Sequence, residues 1–460
     1  MDWTRKQFSI LSMVAITSFM GTFLISSINI ALPAIEKSFD MDAVTLSWVV
    51  TSFLLSMALL LLPAGRWGDF TGIRRLFKFG VILFTMSSLL CGIAPSGYWL
   101  ILFRFIQGAG AAFTSTTGPA ILVSAFPPRQ RGRVLGMSVS AVYLGLAFGP
   151  FAGGILTQSL GWRSIFYASA FLGTGVAIIT QLFLGKDDTS AQESKSKLSL
   201  NSLVFYVAGL TSMVFGSSLI PKLPGWVLIG TGFIALMVFW KRESRSAHPV
   251  IPTRLFTQNR LFAFSNLAAL INYSATFAIV FLLSLFLQKI QHMTPRQAGM
   301  VLIAQPTVMA IFSPVAGRWS DKLEPRILAT LGMTMCALGL GAFTLLGQNT
   351  SIGMLVALLI WMGLGFALFS SPNMNTIMSS VDKNRYGLAS GTAATMRVLG
   401  QMASMTIVTF MFALLFNGHS VDTISFPTFL KAMKYGFLTF ALIAAAGIFF
   451  SYNRGNMNRE

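Results

Sequence analysis

Side chains suited to chemistry are rare in this chain, and the most unusual of them is an arginine inside a long apolar run. Arg104 lies within segment 98–126, and Gln107 follows one helical turn later. A guanidinium about ten ångströms inside a membrane is costly, so it needs a partner, and Gln107 is placed to be one. Gly108 and Ala112 are spaced to let another helix approach closely. The alternative is an arginine whose head extends to the membrane surface.

Acidic and histidine side chains, in contrast, avoid the apolar runs. None of the 14 acidic residues lies well inside such a run. Those next to a run are Asp69, Asp321 and Asp382 on one side of the predicted membrane and Glu36, Asp40, Asp42 and Asp422 on the other. The three histidines, His248, His292 and His419, are all in predicted loops. Since a carboxylate is the usual proton carrier inside a membrane, the proton-carrying residue stays unidentified, with Asp69 and Glu36 as candidates.

The titratable residues also form no pattern typical of catalysis. We find no metal-ligand spacing and no nucleophile–base constellation in the sequence. Cys91 and Cys336 both lie in apolar runs, where cysteine is an ordinary packing residue. The sequence therefore predicts that the protein is not an enzyme and uses neither a metal nor another cofactor.

Two related segments lie 252 residues apart: 64–69 reads Ala-Gly-Arg-Trp-Gly-Asp and 316–321 reads Ala-Gly-Arg-Trp-Ser-Asp. We expect Gly65 and Gly72 to allow a tight turn, and Asp69 to cap the next helix or pair with an arginine. Such a pair is suited to a conformational latch, and the alternative is a plain turn with arginine at the membrane surface. The predicted latch residues are Gly65, Arg66, Asp69, Gly72, Arg74, Arg75, Gly317, Arg318 and Asp321.

A glycine series in segment 133–158 predicts one smooth helix face. Gly145, Gly149 and Gly153 recur every four residues, and Gly154 follows directly. Pro150 removes a backbone hydrogen bond and is expected to kink the helix. The alternative is ordinary close packing of helices, which glycines at this spacing also favour.

These residues must be positioned by membrane helices, because 54% of the 460 residues are hydrophobic and only 10% are charged. The net charge of +19 comes from basic clusters between apolar runs, a pattern of membrane topology rather than of nucleic-acid binding. We predict fourteen membrane helices, each able to cross about 30 Å of hydrocarbon. Their approximate ranges are 8–32, 46–65, 76–95, 98–126, 133–158, 164–185, 199–219, 223–241, 261–287, 296–317, 326–346, 351–380, 386–416 and 427–451.

The distribution of Lys and Arg predicts the orientation. The termini and the loops on their side hold 24 of these residues and the opposite loops hold 7, which places both termini in the cytoplasm. The expected units are a six-helix bundle, a cytoplasmic linker, two inserted helices, a cytoplasmic loop and a second six-helix bundle in the same orientation. Their ranges are 1–185, 186–198, 199–241, 242–260 and 261–460.

The motifs together resemble the major facilitator superfamily, and within it the 14-helix drug/proton antiporter family of multidrug efflux proteins. The segment 65–75 resembles its loop 2–3 signature, Arg104 to Ala112 its helix 4 motif, and 145–154 its antiporter motif. Residues 28–33 and 391–400 resemble its motifs at the end of helix 1 and in a late helix. One departure is Leu24, where that family often has an aspartate.

The resemblance implies alternating access, with a cavity lined by membrane helices 1, 4, 9 and 12. The residues expected at the cavity or in coupling are Asn29, Arg104, Gln107, Asn272, Tyr273, Asn373, Asn375 and Arg397, with Ser26 and Ser27 as further polar lining. For the asparagines, an interhelical hydrogen bond is the open alternative.

The resulting hypothesis is a secondary active transporter in the plasma membrane. It would export neutral, amphipathic or anionic drug-like molecules in exchange for protons, as a monomer in the lipid bilayer without nucleic-acid partners. The alternatives are an exporter or facilitator of one endogenous metabolite or lipid, and a non-transporting membrane sensor or scaffold on the same fold. Substrate identity, stoichiometry and the coupling residue do not follow from the sequence.

Overall fold

The computed structural model describes residues 3–185, 200–246, 253–382 and 385–456, and all the regular structure in these ranges is helical. The side chains of a few helical residues, among them Arg66, Asp69 and Asp321, lie outside the described part. The first eight helices are α1 (Arg5–Phe39), α2 (Ala43–Thr71), α3 (Ile73–Gly92), α4 (Gly97–Ala125), α5 (Pro128–Leu160), α6 (Arg163–Phe183), α7 (Leu200–Ser218) and α8 (Leu223–Glu243). The others are α9 (Thr253–Gln258), α10 (Arg260–Thr276), α11 (Ala278–Leu285), α12 (Pro295–Leu302), α13 (Ala304–Lys322), α14 (Pro325–Phe343), α15 (Ile352–Ser379), α16 (Tyr386–Phe416) and α17 (Phe426–Tyr452).

Every predicted apolar segment corresponds to helix, but several helices run further than the apolar run itself. Twelve described helical stretches are long and apolar enough to cross a membrane. The other two segments are α4, which contains Arg104, and the shorter apolar stretch Ser202–Ser218 of α7. A backbone remains fully hydrogen-bonded when a helix extends past the hydrocarbon, so apolar length underestimates helix length.

Two of the predicted membrane segments are interrupted in the structure. The segment 261–287 is α10, a break at Phe277, α11 and a π-helical turn over Phe286–Ile290. The segment 296–317 is divided at Ile303, between α12 and α13. The second break has a local cause, because Pro306 has no N–H to bond the carbonyl four residues earlier. The predicted linker 186–198 lies outside the described residues, and the predicted loop 242–260 contains α9.

The helix packing shows the same pattern twice. In the first set of helices, α1–α6, α1 packs on α5 and α6, and α4 packs on α2 and α3, while α3 also packs on α6. In the second set, α10–α17, α10 packs on α16 and α17, and α15 packs on α13 and α14, while α14 also packs on α17. Equivalent positions meet equivalent neighbours: Gly65 faces Thr116 and Gly317 faces Ser371. The domain ranges themselves stay a prediction.

The two sets of helices meet mainly where α2 contacts α16 and where α5 contacts α12 and α13. The pair α7 and α8 lies beside the first of these seams. The Tyr206 hydroxyl of α7 donates to the Ala58 carbonyl of α2 at 2.8 Å, and the Trp226 ring of α8 packs edge-on against Phe410 of α16 at 6.0 Å. The inserted pair thus touches both sets of helices.

Candidate functional site

A cavity of about 480 Å³ lies between the two sets of helices. Its walls come from α1–α6 on one side and from α10, α13, α15 and α16 on the other. Lining residues run from the helix middles, such as Met57 and Tyr273, toward the predicted cytoplasmic ends, as at Ser390 and Met378. The cavity is therefore shared by more helices than the four that the resemblance implied.

Half of the expected cavity residues line it and half do not. Tyr273, Asn373, Asn375 and Arg397 are at the wall. Asn29, Arg104, Gln107 and Asn272 are fully or almost fully buried and lie outside the lining. Asn272, for example, faces the thiol of Cys336 inside the second set of helices. Asn29, Gln107 and Asn272 were expected at the cavity and do not line it: Gln107 and Asn272 contact neighbouring helices, and Asn29 is buried. Arg104, expected at the cavity or in coupling, contacts Val49 and Gln107 instead.

The most polar part of the cavity lies around Arg397 and two tyrosines. Arg397 is half-buried and carries the only charged side chain at the wall among the described residues. The Tyr143 and Ser370 hydroxyls lie 3.1 Å apart across the two sets of helices, and the Tyr273 hydroxyl interacts electrostatically with Arg397 and Tyr143. Tyr143, Ser370 and Gln401 also line the cavity and were not predicted from the sequence. Of these, Gln401 could have been predicted, because it follows Arg397 by one helical turn.

Arg104 forms a buried network directly behind the cavity wall. Its Nε donates to the Val49 carbonyl at 3.0 Å, and its Nη1 donates to Gln107 Oε1 at 2.6 Å. Gln107 Nε2 in turn donates to the Ser88 hydroxyl at 2.6 Å. The guanidinium lies 4.4 Å from the ring centroid of Phe53, which lines the cavity. The network joins α2, α3 and α4, and its arginine is fully buried rather than extended to the surface.

The glycine face of α5 packs against α1. A Cβ atom on Gly145 would lie 2.5 Å from the Phe19 carbonyl oxygen, and one on Gly149 would lie 2.5 Å from Ser26 Cβ. A Cβ atom on Gly153 would lie 2.7 Å from Ser27 Cβ. The expected smooth face is therefore present, and it allows the backbones of α5 and α1 to approach closely.

Pro150 in the same helix leaves the Leu146 carbonyl without its helical donor, and a serine of α1 replaces that donor. Ser26 Oγ donates to the Leu146 oxygen at 3.2 Å, and Ser27 Oγ donates to the Gly149 oxygen at 2.9 Å. Both serines were expected to line the cavity, and neither does, because their hydroxyls satisfy the α5 backbone.

The glycine segment also reaches the opposite set of helices. A Cβ atom on Gly154 would lie 2.5 Å from the Pro295 carbonyl oxygen at the start of α12, and Gly299 of α12 lies directly against the Pro150 carbonyl. This contact is on the predicted outer side of the cavity. The motif therefore joins α5 to both α1 and α12.

A second proline produces a contact between the two sets of helices near the outer end of α1. Pro33 lies inside α1 and leaves the Asn29 carbonyl without a helical donor. Ser284 Oγ of α11 donates to that oxygen at 2.6 Å, and Gln288 Nε2 donates to the Ile30 oxygen at 2.9 Å. Gln288 belongs to the π-helical turn, and such turns are frequent at functional sites.

Glu36, expected beside an apolar run on the outer side, completes this contact, and its side chain is buried. It lies inside α1 and is 2% exposed. Its Oε2 is 3.1 Å from Lys289 Nζ, its Oε1 accepts the Asp422 backbone N–H at 3.1 Å, and Lys289 also pairs with Asp422. We call Glu36, Lys289, Asp422, Ser284 and Gln288 the outer cluster. Glu243, at the end of α8, is a second buried acid.

The two latch segments are helical for most of their length. Helix α2 continues to Thr71 and α13 to Lys322, so Gly65 and Gly317 are helical residues rather than turn residues. The reversal occurs at Gly72, which has φ +91° and is the N-cap residue of α3. Gly72, rather than Asp69, therefore has the N-cap position of α3. The pairing of Asp69 with an arginine, like that of Asp321, lies outside the described side chains.

Asn373 is held by a buried arginine that the sequence reading did not single out. Arg454, just after α17, is 1% exposed; its Nη1 donates to Asn373 Oδ1 and its Nη2 to the Pro325 carbonyl, both at 2.7 Å. Burial lowers the pKa of Arg454 to about 10; Glu324 opposes this shift and Arg326 adds to it. Asn373 Nδ2 also donates to the Ser265 carbonyl at 3.1 Å, so this amide ties helix ends together.

Sequence comparisons give the family and its relatives. A sequence model of the Major Facilitator Superfamily matches residues 14–405. The chain is 30% identical over 398 residues to the riboflavin transporter RibZ of Clostridioides difficile, covering 86% of each protein. It is 29% identical to the multidrug resistance protein Stp of Mycobacterium tuberculosis, covering 85% of this chain and 74% of Stp. It is also 29% identical to the drug efflux pump JefA of that organism, covering 83% and 76%.

Structural comparison gives the same fold at low sequence identity. A bacterial homologue of the human lysosomal transporter Spinster, in an inward-facing and unoccupied conformation, matches with a TM-score of 0.71 over 98% of both chains at 15% identity. The xylose transporter XylE of Escherichia coli, in a partially occluded inward-open conformation, matches with a TM-score of 0.68 at 13% identity, covering 99% of this chain and 100% of XylE.

Proposed function

The chain belongs to the major facilitator superfamily, and we propose that it is a proton-coupled exporter of drug-like molecules that works by alternating access. The substrates are neutral, amphipathic or anionic. The multidrug resistance protein Stp and the drug efflux pump JefA, each similar over more than four fifths of this chain, support the export of drugs. The protein acts as a monomer in the plasma membrane.

The observation that carries this proposal is a cavity bounded by both sets of helices and closed on one side only. Contacts between the sets concentrate on the predicted outer side, where Gly154 meets Pro295 and where the outer cluster lies. The lining continues toward the predicted cytoplasmic ends of the helices. This arrangement fits a carrier that receives its substrate from the cytoplasm and opens outward when the outer contacts separate.

The proposed topology has fourteen spans, with both termini in the cytoplasm. Twelve of these spans are the long apolar helices, and the other two are α4 and α7. Helix α4 packs between α2 and α3, and α7 packs against α8. The hydropathy of α4 is lowered by polar residues that face its neighbours rather than lipid. The excess of basic residues on the side of the termini supports the orientation. The units are residues 1–185 and 261–460, with the inserted helices of 199–241 between them.

We assign proton coupling to Glu36 within the outer cluster. A proton that neutralises Glu36 removes its attraction to Lys289 and so weakens the contact between α1 and the π-helical turn. The charged groups that face Glu36 are Lys289 and Asp422, and His419 is on the same loop as Asp422. For exchange, Glu36 takes up a proton from the outside while the outer contacts are open, and it releases that proton toward the cytoplasm after they close, which restores its pair with Lys289.

The latch residues and Arg104 take supporting roles in the same proposal. Arg66, Asp69, Arg74 and Arg75 lie at the predicted cytoplasmic end of α2 and the start of α3, where they would stabilise the outward-open state as the cytoplasmic side closes. Gly317, Arg318 and Asp321 have the equivalent position at the end of α13. Arg104 and Gln107 hold α2, α3 and α4 together while the two sets move.

The test is transport by purified protein in liposomes with an imposed pH gradient. Vesicles that are acidic inside should take up dyes of the proposed classes, whereas vesicles without a gradient should not. Glu36→Gln should abolish the gradient dependence. Asp40→Asn is the matched control, because this neighbouring carboxylate is exposed and its left-handed backbone conformation suits asparagine. Uptake that ignores the gradient in the wild type would refute proton coupling.

A second candidate is transport of one endogenous metabolite, which the similarity to a riboflavin transporter favours. The same liposomes separate the two. Saturable transport of riboflavin alone, with no movement of any dye, would establish the metabolite carrier and refute the drug exporter. Movement of several unrelated dyes would do the opposite.

A further inference from the structure

The central cavity has an unbalanced charge. Its lining includes the guanidinium of Arg397 and no carboxylate among the residues whose side chains are described. The other polar groups at the wall are hydroxyls and amides. A cavity of this kind repels organic cations and attracts anions.

Arg397 also has no hydrogen-bond or ion-pair partner among the described residues. No described side chain or backbone group hydrogen-bonds to it or forms an ion pair with it, in contrast to Arg104 and Arg454, which each donate to two groups. It is the twelfth residue of α16, about 17 Å along a helix that rises ~1.5 Å per residue, and thus near the middle of a ~30 Å hydrocarbon layer. A guanidinium left uncompensated at this depth is costly, and an anionic ligand would supply the missing charge.

The groups around Arg397 complete an anion site of defined shape. The Tyr273 hydroxyl interacts with the guanidinium, and the Tyr143 and Ser370 hydroxyls form a pair 3.1 Å apart. These hydroxyls come from α10, α5 and α15, so both sets of helices contribute hydroxyl groups to the cavity wall. Each can donate a hydrogen bond to a carboxylate or sulfonate oxygen.

The rest of the cavity suits a flat apolar body. Phe53, Phe84, Phe366 and Phe369 line it, and the Tyr273 ring packs edge-on against Phe366 with centroids 5.4 Å apart. A volume of about 480 Å³ is in the ordinary range for ligands of drug-like size. Aromatic walls beside one cation select molecules with one apolar end and one acidic end.

We propose that Arg397, with Tyr273, Tyr143 and Ser370, forms an anion-binding subsite, and that the preferred substrates are aromatic organic anions carrying a carboxylate or sulfonate. This inference rests on the proposed transport function and narrows its substrate class. The apolar walls bind the aromatic body, while Arg397 binds the acidic group. Organic cations are excluded by the same charge.

The test compares two dyes with the same xanthene ring system and opposite charge. Binding of fluorescein, an anion, and rhodamine 123, a cation, is measured by fluorescence anisotropy with full-length protein in nanodiscs at constant pH. The wild type should bind fluorescein and not rhodamine 123. Arg397→Gln should weaken fluorescein binding roughly tenfold or more, and Arg397→Lys should retain most of it. Equal binding of fluorescein by wild type and Arg397→Gln would overturn the proposal.

Two controls separate this inference from its premises. Arg260→Gln makes the same change in net charge outside the cavity, where Arg260 packs on Phe264 at 5.2 Å, and should leave fluorescein binding unchanged. Melting curves establish that each variant is folded. Gradient-driven transport of neutral dyes without binding of fluorescein would refute the subsite and leave the exporter standing. Arg397-dependent binding without transport of any dye would refute the exporter and leave the subsite standing.

Discussion

Ser284 donates a hydrogen bond of 2.6 Å to the Asn29 carbonyl, the oxygen that Pro33 deprives of its helical donor. The bond joins the two sets of helices on the predicted outer side. Because an intrahelical partner is missing, α1 has an acceptor that only the opposite set can satisfy when the outer side is closed. When that side opens, water must replace Ser284 as the donor to the Asn29 carbonyl.

We therefore expect Ser284→Ala to favour outward opening. Loss of one hydrogen bond of ~1 kcal/mol shifts the ratio of the two states about fivefold. The shift is measured as a change in distance between spin labels on the outer loops. Ser274→Ala is the control, since its hydroxyl donates only to the Leu270 carbonyl of its own helix. Identical distance distributions for the two variants would contradict the role of Ser284.

A methyl group at the contact between α5 and α12 should act in the same direction. In Gly154→Ala the new Cβ would lie 2.5 Å from the Pro295 oxygen, so the outer side cannot close fully. We expect outward-open protein that binds substrate from the cytoplasmic side poorly. Gly136→Ala on the same helix meets nothing within 4 Å and should behave as wild type. Normal transport by Gly154→Ala would show that this contact opens and closes without constraint.

The two glycines of the first latch segment should differ in their sensitivity. Gly72→Ala places a side chain at φ +91°, a strain of order 1–3 kcal/mol, and we expect it to slow turnover more than it weakens binding. Gly65→Ala adds only an ordinary contact with Thr116 at 3.7 Å and should be mild. Transport rates and dye affinities of the two variants measure this difference. A greater loss of turnover in Gly65→Ala would refute the placement of the reversal at Gly72.

The Arg104 network should contribute to stability. Gln107→Leu leaves Arg104 Nη1 without its acceptor in a buried site, and the expected loss of unfolding free energy is ~1–3 kcal/mol. Thermal unfolding in detergent measures the change. Thr117→Val on the same helix is the control, because that hydroxyl donates only to the Phe113 carbonyl. If both variants melt at the same temperature as wild type, the network does not hold these helices together.

Arg454 should anchor the end of α17. Arg454→Ala leaves Asn373 Oδ1 and the Pro325 carbonyl without their donor, which we expect to cost ~1–3 kcal/mol and to lower the melting temperature. Asn453→Ala, next to it, breaks only an exposed bond to the Phe449 carbonyl and should have little effect. An equal decrease in melting temperature in both variants would mean that any change at this helix end destabilises the protein, and that the buried arginine has no special role.

Local patterns in the sequence were sufficient to predict the helices and part of their packing. An apolar run long enough to cross a membrane predicts a helix, and every predicted segment corresponds to helix. The spacing of Gly145, Gly149 and Gly153 predicted the smooth face of α5, since helical periodicity is a local property. The resemblance to the major facilitator superfamily rested on such local motifs, and the family is confirmed.

The environment of single polar side chains was decided only by the tertiary structure. Glu36 reads as a residue at the outer edge of a span, and it is buried because Lys289 and Asp422 reach it from more than 250 positions away. Asn29 and Asn272 have the same chemistry as Asn375, yet only Asn375 lines the cavity. Which way a polar side chain turns depends on the neighbouring helix rather than on its own. Sequence periodicity sets each helix and its faces, and the packing of distant helices decides which polar groups are buried between helices and which, like Arg397, lie at the cavity wall.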